Sequence, residues 1–150
     1  MTKAALPKTS RSLPIALLRA REEVMGPIRA MLADVGITEQ QWRVLRVLEE
    51  GGAAEPTRIA EDSCLLLPSL TRILQKLEER GLIVRQRDQA DKRKQIVQIT
   101  SAGAEVIAEN LETSIALNDQ VRQRLGAARY ELLLDLLNEL NKGGAAASED

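Results

Sequence analysis

Residues 68–100 read PSLTRILQKLEERGLIVRQRDQADKRKQIVQIT, and this stretch decides the fold. A helical segment with apolar residues three and four apart comes first, and two strand-like segments joined by a charged stretch follow. The stretch holds eight Lys/Arg and four Asp/Glu, a local charge of +4, whereas the whole chain carries −1 and the remainder therefore −5. A helix followed by a basic hairpin on an otherwise acidic chain is typical of a winged helix-turn-helix that binds nucleic acid.

The composition excludes most enzymatic and metal-binding functions. The 150 residues include no histidine and one cysteine, Cys64. A zinc site needs about four Cys, His or carboxylate ligands, and Ser–His or Cys–His nucleophile pairs need a histidine base. We therefore expect no metal, no cofactor and no catalytic centre. One Trp, one Tyr and no Phe also disfavour single-strand binding by stacked aromatic rings.

Length and apolar content indicate a single cytoplasmic domain. A chain of this size can bury a real core, and one cysteine cannot form a disulfide within the chain, which suits a reducing compartment. No apolar run approaches the roughly 20 residues that cross a bilayer. The opening MTKAALPKTSRS lacks the apolar segment of a secretory signal. We expect no association with a membrane.

Helical spacing and stop signals predict a mainly α fold with a small β-hairpin wing. Thr38 and Gln41 form a capping box at the start of one helix, Gly36 ends the helix before it, and Thr100 caps the helix after the wing. Residues 1–12 and 142–150 are small and polar and are predicted to be disordered. The predicted helices span about 13–35, 39–50, 57–63, 68–80, 101–125 and 128–140, and strands at 82–84 and 96–99 flank a mobile tip.

The first helix and the last two helices each present an apolar face. The compact winged helix between them has too little surface to cover these faces. A homodimer solves this, with terminal helices of two chains interlocked in one bundle. The predicted dimerisation helices are 13–35 and 101–141, on either side of a winged helix-turn-helix at about 38–100.

Three segments carry a resemblance to a known family: ITEQQWRVLRVL at 37–48, PSLTRILQKLEERGLI at 68–83 and DKRKQIVQITSAG at 91–103. In these the chain resembles the MarR family of bacterial transcription regulators, over nearly all of residues 13–141. LLRAREEVM and CLLLPSLTRIL are most similar to regulators of homoprotocatechuate degradation operons. The resemblance implies a dimeric repressor that leaves its operator when an aromatic acid of the phenylacetate type binds.

One departure from the family pattern lies ahead of Pro68. The family usually carries a polar capping residue there, whereas this chain has Leu65, Leu66 and Leu67, so about 1 kcal/mol of local helix stability is lost. These leucines either pack in the turn or form the floor of an effector pocket.

The candidate DNA contacts lie on the helix at 68–80 and in the wing. The first turns of a recognition helix meet base edges in the major groove, where Arg72 can bind guanine and Gln75 adenine. By resemblance, Arg93 is the wing-tip residue for the minor groove, and Asp91 orients it or the turn. The alternative is a solvated, charged surface. The predicted DNA-contacting residues are Pro68, Ser69, Thr71, Arg72, Gln75, Lys76, Asp91, Lys92, Arg93 and Lys94.

Arg21 is the predicted effector anchor. It falls on an apolar stripe of the first helix, and an arginine on a buried face needs a counter-charge. A permanent Asp or Glu is one solution, and an aromatic carboxylate held in a bidentate fork is the other. The predicted effector contacts are Arg21, Met25 and Trp42, although Trp42 alone could be a core residue. Arg43 and Arg46 are spaced for surface ion pairs with Glu39 and Glu50.

Two alternatives concern other classes of function. Cys64 precedes the recognition helix and could make the repressor redox-responsive, but its apolar neighbours favour a buried, inert side chain. The terminal helices could instead serve a protein-interaction module without an effector, which would show no salt-dependent DNA affinity.

Overall fold

The computed structural model describes the backbone of residues 4–146 and the side chains of residues 4–141. Within them, a short 3-10 turn (Thr9–Arg11) precedes helices and a two-stranded antiparallel sheet. The predicted mainly α fold with a β-hairpin wing is confirmed. The elements are α1 (Leu13–Ala33), α2 (Glu39–Gly51), α3 (Pro56–Asp62), α4 (Leu67–Glu79), β1 (Ile83–Arg87), β2 (Gln95–Ile99), α5 (Ser101–Leu125) and α6 (Ala127–Ala146).

The predicted capping residues set the helix boundaries. The Thr38 hydroxyl accepts the Gln41 backbone N–H at 3.1 Å, and the Gln41 side-chain oxygen accepts the Thr38 N–H at 3.1 Å, so the capping box of α2 is confirmed. The Thr100 hydroxyl accepts the Gly103 N–H at 3.1 Å and donates to the Gly81 carbonyl at 2.7 Å. That second bond ties the start of α5 to the turn between α4 and β1.

The core lies inside the winged helix and is built from aliphatic side chains. The inward face of α4 consists of Leu70, Leu74 and Leu77, all 1% exposed or less, as the helical spacing predicts. They pack with Leu45 of α2 and Val97 of β2 in one buried cluster. This packing fixes which face of α4 remains in solvent.

The wing is a longer hairpin than predicted. β1 pairs with β2 from Ile83↔Ile99 to Arg87↔Gln95, and Ala54 adds a bridge to Val97 on the far edge of β2. The segment predicted as a mobile tip is closed by a bond from the Asp88 N–H to the Lys94 carbonyl at 2.9 Å. Aspartate side chains accept backbone N–H groups in such turns. The alternation of β-branched residues in the sequence did not predict that the tip would be closed in this way.

The chain divides into two compact units, one ending at Glu112 and one beginning at Thr113. Within the second unit, Gly126 separates two helices at φ +85°, and the Tyr130 hydroxyl donates to the Asn118 side-chain oxygen at 2.7 Å. α6 continues into the segment predicted as a disordered tail, and Thr9–Arg11 forms a turn in the predicted arm. Residues 1–3 and 147–150, which belong to the same predictions, lie outside the described residues. No helix in residues 4–146 is both long and apolar enough to cross a bilayer.

Candidate nucleic-acid interface and effector site

The solvent face of α4 presents two cations, Arg72 and Lys76. Arg72 and Lys76 are exposed, and neither has a hydrogen-bond or ion-pair partner among the side chains of residues 4–141. Pro68, Thr71 and Gln75 share this exposed face, while Ser69 is half-buried. The face that the sequence predicts for DNA contact is therefore the face that packing leaves in solvent.

Two polar side chains on α4 are already engaged within the helix. The Thr71 hydroxyl donates to the Leu67 carbonyl at 3.1 Å, and the Gln75 amide donates to the Glu79 carboxylate at 3.4 Å. A phosphate or a base that takes either group must compete with these bonds. Among the described side chains, Arg72 and Lys76 have no such competing bond and are the better-prepared contacts.

The three leucines before Pro68 have different environments. Leu65 is half-buried against the core, whereas the side chains of Leu66 and Leu67 are 77% and 44% exposed. Leu66 is the N-cap residue of α4 and provides no side-chain hydrogen bond, so the missing cap is confirmed. Packing in the turn accounts for Leu65 alone.

A cavity of about 320 Å³ opens between the start of α2 and the first turns of α4. Leu65 and Ser69 line it together with Arg72 and Lys76, and Gln40 faces them from α2. The two cations of α4 therefore lie beside a concave surface.

The basic residues of the wing differ in whether they have an ion-pair partner among the described side chains. Arg93 Nε lies 3.2 Å from Asp91 Oδ1, which also accepts the Arg93 backbone N–H at 3.1 Å, so Asp91 holds both the arginine and the turn. Lys94 Nζ is 3.7 Å from Glu55 Oε1. Lys92 has no ion-pair partner among the described side chains and remains available to a phosphate.

Two further arginines lie on the first strand of the wing. The guanidinium of Arg85 bonds Glu78 at 2.9 Å, and this hydrogen bond lowers the pKa of the Glu78 carboxyl. Arg87, at the end of β1, is exposed and lies with Lys92, Arg93 and Lys94 around a groove of about 490 Å³. Arg87 was not among the predicted contacts; its signal was the alternation along β1, which turns Arg85 and Arg87 to one face of the hairpin.

The predicted effector anchor has a permanent counter-charge. Arg21 Nη2 donates to Glu39 Oε2 at 2.8 Å, and Glu39 Oε1 lies 3.8 Å from Arg29 Nη1. Arg29 also binds Glu22, and this hydrogen bond lowers the pKa of the Glu22 carboxyl. The Arg21 side chain is 44% exposed, so the premise of a buried face is wrong; the Glu39 side chain is 11% exposed. Leu17 and Val24 lie four residues before and three residues after Arg21, on the same side of α1. They are also about two-fifths exposed, because only the end of α1 packs against the core.

The other two predicted effector contacts differ in burial. Met25, one turn after Arg21, is half-buried. Trp42 is 6% exposed and belongs to the core cluster, which agrees with the core alternative for this residue.

The expected ion pairs of Arg43 and Arg46 are wrong. Glu39 bonds the arginines of α1 instead, because tertiary packing brings α1 closer than the next turn of α2. Arg43 Nε is buried and has no hydrogen-bond partner among the described residues. Glu39 lies between Arg21 and Arg29, a contact that helical spacing alone did not predict.

The expected burial of Cys64 is also wrong. The residue is exposed and has φ +56°, a left-handed conformation that side chains rarely adopt. Its N–H bonds the Glu61 carbonyl at 3.2 Å at the end of α3, and the chain then reverses so that Leu65, not Cys64, meets the core.

One arginine connects α4 to the end of α1. Arg80 Nη1 donates to the Gly36 carbonyl at 2.7 Å, and Nη2 donates to the Val35 carbonyl at 3.3 Å. These two carbonyls belong to the turn that follows α1. The recognition helix is thereby attached to the helix that carries Arg21.

Comparisons with known proteins agree with this arrangement. A family model described as MarR family matches residues 37–94. The chain is 40% identical to the HTH-type transcriptional regulator FarR of Neisseria gonorrhoeae, over 87% of this chain and 90% of FarR. It is 35% identical to the homoprotocatechuate degradative operon repressor of Escherichia coli, over 93% of this chain and 94% of that repressor.

A solved structure also matches nearly the whole chain. The crystal structure of NadR in complex with 4-hydroxyphenylacetate is 37% identical, with a TM-score of 0.80, and covers 90% of this chain and 98% of NadR. The sequence-based resemblance is confirmed, and members of this family are DNA-binding transcriptional regulators, not enzymes. On its sequence, its fold and its exposed basic recognition helix, the chain belongs to the MarR family and is a MarR-type transcriptional repressor.

Proposed function

We propose that this repressor binds a pseudo-palindromic operator as a homodimer and is released by a small aromatic acid of the hydroxyphenylacetate type. The observation that carries the DNA part is the pair of cations on the solvent face of α4, Arg72 and Lys76, which have no partner among the described side chains. Two recognition helices bound to one operator lie about one DNA turn, or 34 Å, apart. A small change in their spacing is therefore enough to lose affinity.

Homodimerisation is supported by exposed leucines on the terminal helices. On α6, Leu132, Leu136 and Leu140 are each more than half exposed and lie four residues apart, so they share one helix face. On α1, Leu13 and Leu18 are also more than half exposed. Such apolar faces need a partner surface in water.

The effector class is supported by two similarities and one ion pair. NadR has been crystallised with 4-hydroxyphenylacetate, and the homoprotocatechuate repressor is a 35% identical relative. In this chain, Arg21 already holds a carboxylate, that of Glu39, at 2.8 Å. An aromatic acid could compete with Glu39 for the bidentate fork of the guanidinium, and its ring would lie toward Met25 and Trp42.

The required energetic preference is modest. An effector that binds the conformation unable to hold DNA about 3 kcal/mol more tightly shifts the equilibrium by about 150-fold. A charge-assisted bidentate hydrogen bond that forms in only one of the two conformations is of this order.

The effector assignment is tested with Arg21→Met. This variant keeps the length and apolar stem of the side chain but removes the fork, so it should fold and repress yet ignore the ligand. Wild type and variant are titrated on a labelled operator with 4-hydroxyphenylacetate and with 3,4-dihydroxyphenylacetate, the operator having been selected from random duplexes. Arg19→Met, an exposed arginine of the same helix, is the matched control and should respond like wild type.

Two outcomes would contradict the proposal. An Arg21→Met protein that responds at wild-type ligand concentrations would leave Arg21 as a structural partner of Glu39. A wild-type protein that responds to neither acid would remove the effector class and leave a repressor of another signal.

The exposure of Cys64 favours one second candidate, a redox-responsive repressor. The thiol is exposed in the turn that leads into α4, where a modification would lie next to the recognition helix. Operator binding that is lost with peroxide in wild type but kept in Cys64→Ser would establish this function.

A further inference from the structure

The recognition helix begins with two leucines in solvent, and the structure points to a role for them. We propose that Leu66 and Leu67 contact thymine 5-methyl groups in the major groove, so that the repressor reads thymine by apolar contact as well as guanine or adenine by hydrogen bonds. This inference rests on the proposed function, in which the first turns of α4 enter the major groove.

The exposure of these leucines is not explained by packing within the described chain. Leu66 is 77% and Leu67 is 44% exposed, whereas the next leucine on the helix, Leu70, is fully buried. Exposed apolar surface is unfavourable in water. They occupy the N-cap and the first position of the helix, within two helical turns of Arg72.

The missing cap at Leu66 is a second, independent observation. The residue has extended φ and ψ, as an N-cap requires, yet its own side chain makes no capping hydrogen bond to the described residues. Ser, Thr, Asp or Asn at this position would satisfy a free N–H. A sequence that breaks such a local rule does so most often where a function requires the residue.

The major groove offers one apolar group that fits. Each A·T pair exposes the thymine C5-methyl beside hydrogen-bonding groups, while cytosine has no methyl at that position. Residues at the start of a recognition helix are those that reach base edges. An aliphatic side chain there can exclude water from a methyl group, whereas it would bury the polar edge of a G·C pair without a partner.

The test replaces thymine by deoxyuridine, which removes only the methyl group. The wild-type operator is first selected from random duplexes, and each thymine is then replaced in turn and the affinity measured. At one or more positions in each half-site, the replacement should weaken wild-type binding about fourfold, the value of one buried methyl group. Replacement elsewhere in the same operator should change nothing.

The variants are Leu66→Ala, Leu67→Ala and Leu66→Ser. Each alanine variant should bind the thymine and deoxyuridine operators with equal affinity when the replaced thymine is the one that the truncated leucine contacts. It should still bind the operator more tightly than random DNA. Leu66→Ser should also lose the preference for thymine, but with a raised Tm, because serine restores the cap. Leu6→Ala, which truncates a leucine that is 94% exposed, is the matched control and should keep the preference for thymine.

The outcomes separate this inference from the function on which it rests. A wild-type protein that cannot distinguish any operator from random DNA would remove both. Specific binding that is indifferent to every uracil, or that keeps its uracil sensitivity in all three variants, would overturn the methyl contact alone. Leucine variants that bind thymine and uracil operators equally weakly because they no longer dimerise would assign Leu66 and Leu67 to assembly and overturn it as well.

Discussion

At the scale of single residues, the division of the cations into paired and unpaired sets determines how each one can act on DNA. Arg85, Arg93 and Lys94 each have a carboxylate within 4 Å. Exposed pairs of this kind contribute little to stability, but their carboxylates oppose a nearby phosphate. Arg72 and Lys76 have no such carboxylate among the described side chains, so more of their charge is available to the operator.

We therefore predict that Arg72→Ala loses discrimination, whereas Lys92→Ala loses only general affinity. Removing a bidentate base contact should cost about 1–3 kcal/mol at the operator and little on random DNA. Removing a phosphate contact should weaken both alike and reduce the slope of log affinity against log salt by about 1. Both quantities are measured by fluorescence anisotropy on operator and random duplexes at salt concentrations from about 50 to about 200 mM. Over this range of salt, the affinity of such proteins for DNA falls by roughly 1,000-fold. If Arg72→Ala keeps the wild-type ratio, Arg72 does not read a base.

At the scale of elements, α5 lies so close to Leu82 and Ile99 that its residue Gly103 has no room for a side chain. Gly103, in the first turn of α5, is buried, and a Cβ there would lie 2.3 Å from the Leu82 carbonyl oxygen and 2.7 Å from the Ile99 side chain. The Thr100 hydroxyl holds this turn in place through its bonds to Gly81 and Gly103. The wing and α5 are thus joined by backbone contact.

We predict that Gly103→Ala lowers the free energy of unfolding by about 1–3 kcal/mol, the usual cost of overpacking. Gly26→Ala is the matched control: a Cβ at that position in α1 has nothing within 4 Å, so better helix propensity should raise the stability by up to about 1 kcal/mol. Urea denaturation of both variants beside wild type measures the difference. Equal midpoints for wild type and Gly103→Ala would show that α5 can move away from the wing at no cost.

At the scale of the whole molecule, apolar exposure separates the terminal helices from the winged helix. The core residues of α2, α3 and α4 are almost completely buried, whereas Leu13, Ile115 and Leu132 are more than half exposed. A soluble monomer rarely exposes large contiguous apolar patches. A second copy of the chain is the partner that we propose for them.

We predict that sedimentation at micromolar concentration gives about twice the 16.5 kDa chain mass. Leu132→Asp combined with Leu136→Asp should give monomer or aggregate, since two charges would be placed on the apolar face of α6. Leu6→Asp, which changes a leucine outside the helices, should remain dimeric. A folded wild-type monomer that binds its operator would contradict the dimer and the bundle of terminal helices.

Much of the fold was readable from the sequence, because the signals are local. The spacing of Leu70, Leu74 and Leu77 predicted both the helix and its buried face, and the capping box at Thr38 predicted where α2 begins. The same periodicity left Arg72 and Lys76 outside. Each of these features depends on residues within two helical turns, where geometry follows from the chain itself.

Only the tertiary structure decided what depends on residues distant in sequence. Glu39 lies 18 positions from Arg21 yet provides its counter-charge. The sequence predicted that Arg21 needs a counter-charge but not which residue provides it. The turn after α3 exposes Cys64 and Leu66 and leaves Leu65 half-buried against the core. Hydrophobicity alone does not distinguish such neighbouring residues. Their burial depends on how helices that are distant in the sequence pack around the turn.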